Sequence, residues 1–355
     1  MAAISDVALL PRDRQAQARR LHWVLATLAG LTALASLQVG ATDVTLSAVL
    51  AKLMQGVPLS QMEQVVLWDI RLPRLVLGIL VGAALAVSGA LMQGLFRNPL
   101  ADPGIVGVSA GAGLGAITAI VLGGLLPAWL GVMAGPHLVA LAAFAGGWAT
   151  TLLLYRVATS HGRTSVATML LAGIALAALA GALSGILIFM ADDQQLRDLT
   201  FWGLGSLAGA SWAKVIAAGP LILLAIGAAL FLGRGLNGLA LGEATAAHIG
   251  IDVQRLKSVA ILAVAGASGA AVAVSGGIGF VGIVVPHLLR LATGPDHRTL
   301  LPNAALLGAS LLVLADMLAR VIIAPAELPI GIVTAVLGAP IFLWILLKRR
   351  GLVET

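Results

Sequence analysis

The chain has 355 residues, of which 60% are hydrophobic and only 10% charged, and its mean hydropathy is +1.04. Soluble domains carry about 25% charged residues to keep their surface wet, so this composition excludes a water-facing globule and makes lipid the solvent for most of the chain. The net charge of +6 and pI near 10.7 would suit a nucleic-acid binder, but Lys and Arg sit in short clusters between long apolar runs, as the positive-inside rule produces, and no nucleic-acid partner is expected.

A spanning helix needs about 20 mostly apolar residues. Residues 1–20 form a polar tail with Arg12, Arg14, Arg19 and Arg20, and 21–40 read as a first span, too long for a signal peptide. Residues 42–71 are amphipathic and suit a surface helix. The uncharged run 75–96 is one membrane thick and leads into the polar turn Arg97-Asn98-Pro99-Leu100-Ala101-Asp102-Pro103. Residues 104–155 carry no formal charge and hold two helices broken near Pro127 and Gly135-Pro136. A basic loop (156–163) precedes the span 166–191. Residues 192–211 read as re-entrant or interfacial, 215–233 span, and 234–257 form a long polar loop. Then 258–274 span, Ser275-Gly276-Gly277 breaks the chain, 280–292 is short, and 300–323 and 330–347 complete the set.

The expected fold is therefore all-α and polytopic, with about ten transmembrane helices, some short or broken. A single transmembrane domain (21–348) lies between an N-terminal tail (1–20) and a C-terminus (349–355), with an inner loop at 236–254. Of the 21 Lys and Arg, only Lys52, Arg71, Arg74, Arg197, Lys214 and Arg320 fall on one side; the remainder fall with both termini, which are placed in the cytoplasm.

Chemistry-bearing patterns are sparse. No G-x-x-x-x-G-K-[ST] cradles a nucleotide and no H-E-x-x-H binds zinc. The chain has no Cys, and its six His are scattered. The spans hold almost no ionisable groups for ion coupling; Asp316 and Arg320, four apart on one helix face, are the exception. They fit a structural ion pair or a polar docking patch equally well. The inner loop 236–251 reads as a short helix with Glu243 in its first turn, favourable for the helix dipole, and Gly250 at its end. It is either a linker or a lever for a partner.

Several ordered stretches carry a resemblance. Arg71-Leu72-Pro73-Arg74, Gly89-Ala90-Leu91-Met92-Gln93, Asn98-Pro99-Leu100-Ala101-Asp102-Pro103-Gly104, Gly107-Val108-Ser109-Ala110-Gly111-Ala112, Gly279-Phe280-Val281-Gly282-Ile283-Val284-Val285-Pro286-His287 and Glu327-Leu328-Pro329-Ile330-Gly331 are among them. From about residue 20 onward the chain resembles the FecCD-type permeases of binding-protein-dependent ABC importers for siderophores, heme and cobalamin. Phe201-Trp202-Gly203-Leu204-Gly205-Ser206-Leu207 turns the resemblance toward heme permeases.

The resemblance implies a homodimer in the bacterial inner membrane. It also implies two ATPase subunits inside, a periplasmic substrate-binding protein outside, and alternating access. It implies no cofactor and no catalysis by the chain itself: ATP and Mg bind the ATPase, and heme is cargo, with siderophore or cobalamin the competing cargo. Arg71, Arg74 and Arg320 match docking positions for acidic residues of the binding protein, a role that suits the arginine fork. Leu241, Gly242, Glu243, Ala244, Thr245, His248, Ile249 and Gly250 match the ATPase coupling helix. Asn98, Leu100, Thr164 and Ser165 resemble inner-gate positions, although Val166 and Ala167 stand where some relatives carry hydroxyls.

The helix 166–191 matches the one lining the pathway with its dimer mate, with Thr168, Met169, Gly173, Ala177, Gly181 and Ser184 on it. Such small residues leave room and hold cargo weakly. A secondary transporter and a membrane-embedded enzyme are the rival classes, separable by ATP dependence and by product formation.

Overall fold

The computed structural model describes residues 11–40, 44–127, 129, 134–160 and 163–350. Eight described helices are long and apolar enough to cross a membrane, and two more apolar helices are shorter. Among the described residues the strands are confined to one two-residue hairpin. The all-α polytopic expectation is met.

The chain opens with α1 (Pro11–Gln38) and α2 (Leu46–Met54). A capped turn, Gln61–Gln64, and a π-helical turn, Val65–Arg71, run directly into α3 (Leu72–Leu95). Next come α4 (Val108–Leu122), α5 (Leu138–Ala158), α6 (Val166–Met190) and α7 (Asp193–Leu204). The order continues with α8 (Trp212–Phe231), α9 (Gly233–Leu239), α10 (Glu243–His248), α11 (Val253–Ser275), α12 (Val281–Thr293), α13 (His297–Val321) and α14 (Ile330–Arg350).

Several expectations are corrected. Helix already begins at Pro11, within the expected tail 1–20; residues 1–10 lie outside the described residues. At the other end α14 continues to Arg350, and 351–355 lie outside them. The surface helix expected over 42–71 is broken: Gly56 has φ +69°, and helix restarts at Ser60, whose hydroxyl and Glu63 form a capping box. Residues 192–211, expected as re-entrant or interfacial, contain the regular helix α7, capped by Asp192 with Gln195. The polar loop 234–257 is largely helical, holding α9, α10 and the first turn of α11. The basic loop 156–163 contains the antiparallel pair Thr159–Ser160 and Arg163–Thr164, with Thr159 opposite Thr164.

Two helices form the centre. In their most apolar stretches 89% of residues are buried for the span ending in α3 and 83% for α11, against 11% for α6. Small residues make this possible. A Cβ on Gly82 would strike the carbonyl of Gly308, and one on Gly89 would strike the carbonyl of Gly282. Helix α3 thereby approaches α13 and α12 backbone to backbone, as small residues permit between helices in lipid. Helix α13 runs antiparallel to α3: Arg74 at the start of α3 meets Asp316, while Gly94 at its end abuts His297. Twenty-five residues of α13 at ~1.5 Å each separate the two ends of the bundle by a membrane thickness.

Candidate functional site: two ends and a pathway helix

At one end, three arginines converge from three segments. Arg74 donates from Nη2 at 2.9 Å and from Nε at 3.0 Å to Asp316 Oδ1, and from Nη1 at 2.8 Å to Glu327 Oε1. Arg320 contacts the other Asp316 oxygen at 3.1 Å and donates to the Val39 carbonyl and the Ser36 hydroxyl, each at 2.9 Å. Arg71 donates to the carbonyls of Leu37 and Val44, the latter at 2.7 Å. All three guanidinium residues are buried, at 5%, 7% and 8% exposure for Arg71, Arg74 and Arg320. Charge-assisted, forked hydrogen bonds make such burial tolerable.

The four-residue spacing does pair Asp316 with Arg320. It does not reveal that Asp316 is shared with Arg74, 242 positions away, or that Glu327 completes the cluster. Glu327 was visible only inside a quoted stretch; a partner so remote leaves no trace in a single sequence. Its side chain is 36% exposed, the most accessible acid of the cluster.

At the opposite end, α9 and α10 form a short helical elbow. Gly242 turns the chain at φ +107° and Gly250 ends the elbow at φ +86°, both left-handed positions that favour glycine. Between them Ala246 is fully buried, whereas Ala244, Thr245 and His248 face outward. His248 Nδ1 bonds the Ala244 carbonyl at 2.7 Å. Leu241 and Ile249 bracket α10 with 67% and 60% exposure.

Asn237 on α9 donates to Asp296 at 2.7 Å and accepts the backbone N–H of His297, locking the elbow to α13. The Asp296 carboxyl is held down at about 2, first by Arg298 and further by Asn237, against the opposing effect of burial. A cavity of about 580 Å³ opens here, lined in part by Gln93, Arg97, Asn237 and Arg290.

The proposed gate residues lie at this same end. The Asn98 side chain accepts the backbone N–H of Leu100 at 3.0 Å, shaping the turn that leads to the 3₁₀ turn Pro103–Val106, which packs on α6. Burial pushes the neighbouring Asp102 carboxyl up. Thr164 is buried, and Ser165 caps α6 by accepting the Thr168 N–H at 3.2 Å.

Along α6, Met169 and Gly173 lie on the face packed against the rest of the chain. Thr168 and Gly181 lie on the open face, with Ala177 and Ser184 at intermediate exposure. Met169 is 1% exposed and belongs to the hydrophobic core. The open face also carries Leu171, Ile174, Leu183, Ile186 and Phe189.

Gly107-Val108-Ser109-Ala110-Gly111 has the G-x-S-x-G spacing of a hydrolase nucleophile elbow. A nucleophile elbow joins a strand to a helix; here the pentapeptide follows a 3₁₀ turn, opens α4, and lets Gly111 meet Gly146 of α5. It is a packing motif.

The chain matches the FecCD transport family over residues 28–348. It is 49% identical over 282 residues to the hemin transport system permease protein of Yersinia pestis, covering 79% of this chain and 83% of that protein. It is 43% identical over 348 residues to the vitamin B12 import system permease protein of Escherichia coli, covering 96% and 100%. A solved structure of a metal-chelate type ABC transporter in an inward-facing conformation superposes with a TM-score of 0.81 at 32% identity, covering 93% of this chain and 99% of that one.

Proposed function

The chain belongs to the FecCD transport family, and from that premise we propose that it is the membrane-spanning subunit of an ATP-driven ABC importer that moves heme across the bacterial inner membrane by alternating access. The observation that carries this reading is the opposition of the two ends. A charged cluster lies at one, an outward apolar elbow at the other, and a membrane thickness of helix separates them.

A periplasmic binding protein docks at the end built from Arg71, Arg74 and Arg320. Because these guanidiniums are buried, an incoming carboxylate acts by displacing Glu327 from Arg74 Nη1, the one acid partner that reaches solvent. Two ATPase subunits, which bind the ATP and Mg²⁺, receive α10 and its flanks at the cytoplasmic end. Leu241 and Ile249 are the apolar anchors, and both termini lie on this side. Helix α6, with 11% of its apolar stretch buried within its own chain, faces a second copy. Asn98, Leu100, Thr164 and Ser165 form the inner gate. The open face of α6 offers mostly aliphatic and small side chains, with the exposed Met190 thioether at its far end, so a planar apolar chelate passes without being held tightly.

Heme is preferred over cobalamin because 49% identity to a hemin permease exceeds 43% to a vitamin B12 permease. The test is reconstitution in liposomes with the cognate ATPase and binding protein. ATP-dependent accumulation of hemin, followed by its Soret absorbance, is expected to exceed that of cobalamin. Faster uptake of cobalamin or a ferric siderophore would replace the cargo, and uptake driven by a proton gradient without ATP would overturn the class.

A further inference from the structure

Lys257 was placed by its charge in a polar loop, yet it sits on the first turns of α11 and is 1% exposed. Its Nζ donates at 2.8 Å to the backbone carbonyl of Thr164 and at 2.7 Å to Glu243 Oε1. One ammonium thus joins the gate hairpin to the first turn of α10. One helical turn before it, on the same face of α11, Gln254 accepts the backbone N–H of Thr164 at 2.8 Å. Helix α11 therefore grips both backbone groups of this residue. Thr164 is also pinned across the hairpin, its hydroxyl 2.9 Å from that of Thr159. The next residue, Ser165, caps α6. Tyr155, at the end of α5, reaches the Ser258 hydroxyl of α11 at 2.6 Å.

We infer that Lys257 is the positioning residue that transmits displacement of the coupling helix to the inner gate, through the path Glu243, Lys257, Thr164, Ser165 and α6. The inference rests on the reading of α10 as the ATPase contact and of Thr164 and Ser165 as gate residues. The outer end of the path is accessible, since the Glu243 side chain is 43% exposed. Its inner end is closed, since Lys257 is 1% exposed, so this bridge offers motion imposed on α10 a short route inward beside the one through Asn237 to α13. A lysine suits this place: it is a compact charge whose rotatable donors serve a carboxylate and a carbonyl at once. A packing residue of the same length could fill the space but could not hold both.

The test uses the full complex in liposomes and reads ATP hydrolysed per hemin transported. Lys257→Met is expected to raise that ratio about fivefold or more, the scale on which residues in a coupling network act, with the ATPase still bound. Glu243→Ala breaks the same bridge from the surface side. The double variant should be uncoupled by less than the product of the two single effects, as for residues in one network. A wild-type ratio in assembled Lys257→Met complexes, or strictly multiplicative effects, would overturn the inference.

If Lys257→Met is not recovered folded, a wild-type ratio in Glu243→Ala overturns it instead. A Leu241→Ser/Ile249→Ser variant separates the two levels. If that variant sheds the ATPase while Lys257→Met stays coupled, the relay is wrong and the α10 reading stands. If it binds the ATPase and transports normally, the α10 reading fails and takes the relay with it.

Discussion

The two ends of this bundle solve the problem of charge near a membrane in opposite ways. The arginine end buries three guanidiniums and satisfies them with Asp316, Glu327 and carbonyls of the α1–α2 connection. The α10 end keeps most of its charges at the surface, buries one lysine, and leaves two aliphatic side chains outside. A buried cluster with an acid shared between two arginines is stiff, because moving any member exposes a charge to a low dielectric. Helix α10 is instead short and largely exposed, bounded by two left-handed glycines and tied to the bundle through Asn237 of α9 and through Lys257.

This contrast breaks most sharply at Asp316. Asp316→Asn removes the carboxylate shared by Arg74 and Arg320 and is expected to cost about 3–5 kcal/mol, the loss typical of stranding buried charge. Thermal unfolding in detergent measures it, and a loss under about 1 kcal/mol would mean that the cluster is wet. At the coupling end, Ser165→Ala removes the cap of α6 and should cost about 1 kcal/mol, read in the same melts. An effect as large as that of Asp316→Asn would erase the distinction between the ends. The smallest expected change in stability is that of Leu241→Ser with Ile249→Ser, within about 0.5 kcal/mol, because both side chains are exposed. Their effect should appear instead as loss of ATPase co-purification. A large drop in melting temperature would show that they pack within the chain.

Much of the fold was legible in the sequence. Residues 166–191 read as a span and fold as Val166–Met190, because an uncharged run of that length has no other low-energy arrangement in lipid. The expected breaks at Pro127 and Gly135-Pro136 lie outside the α-helices, and Gly276-Gly277 follow Ser275, the last residue of α11. The spacing of Asp316 and Arg320 correctly paired them. Lys257 was misread, since a charged residue between apolar runs reads as solvent-facing unless its partners are known, and those partners lie 14 and 93 positions away. Arg71 and Arg74 were expected at docking positions, and their burial shows only in the fold. The residues expected along the pathway lie on α6, but only packing showed that Met169 and Gly173 turn inward while Thr168 and Gly181 face out.

Hydropathy, glycine content and charge distribution by themselves determined that the chain is a polytopic helical membrane protein and where its main spans lie. Each of these is set by transfer from water to lipid, a property of local composition. The tertiary structure alone decided which charges are buried, which carboxylate serves which arginine, and that Lys257 joins Glu243 to Thr164. Those depend on contacts between residues far apart in the chain, and the free energy of such a contact appears only when both partners leave water together.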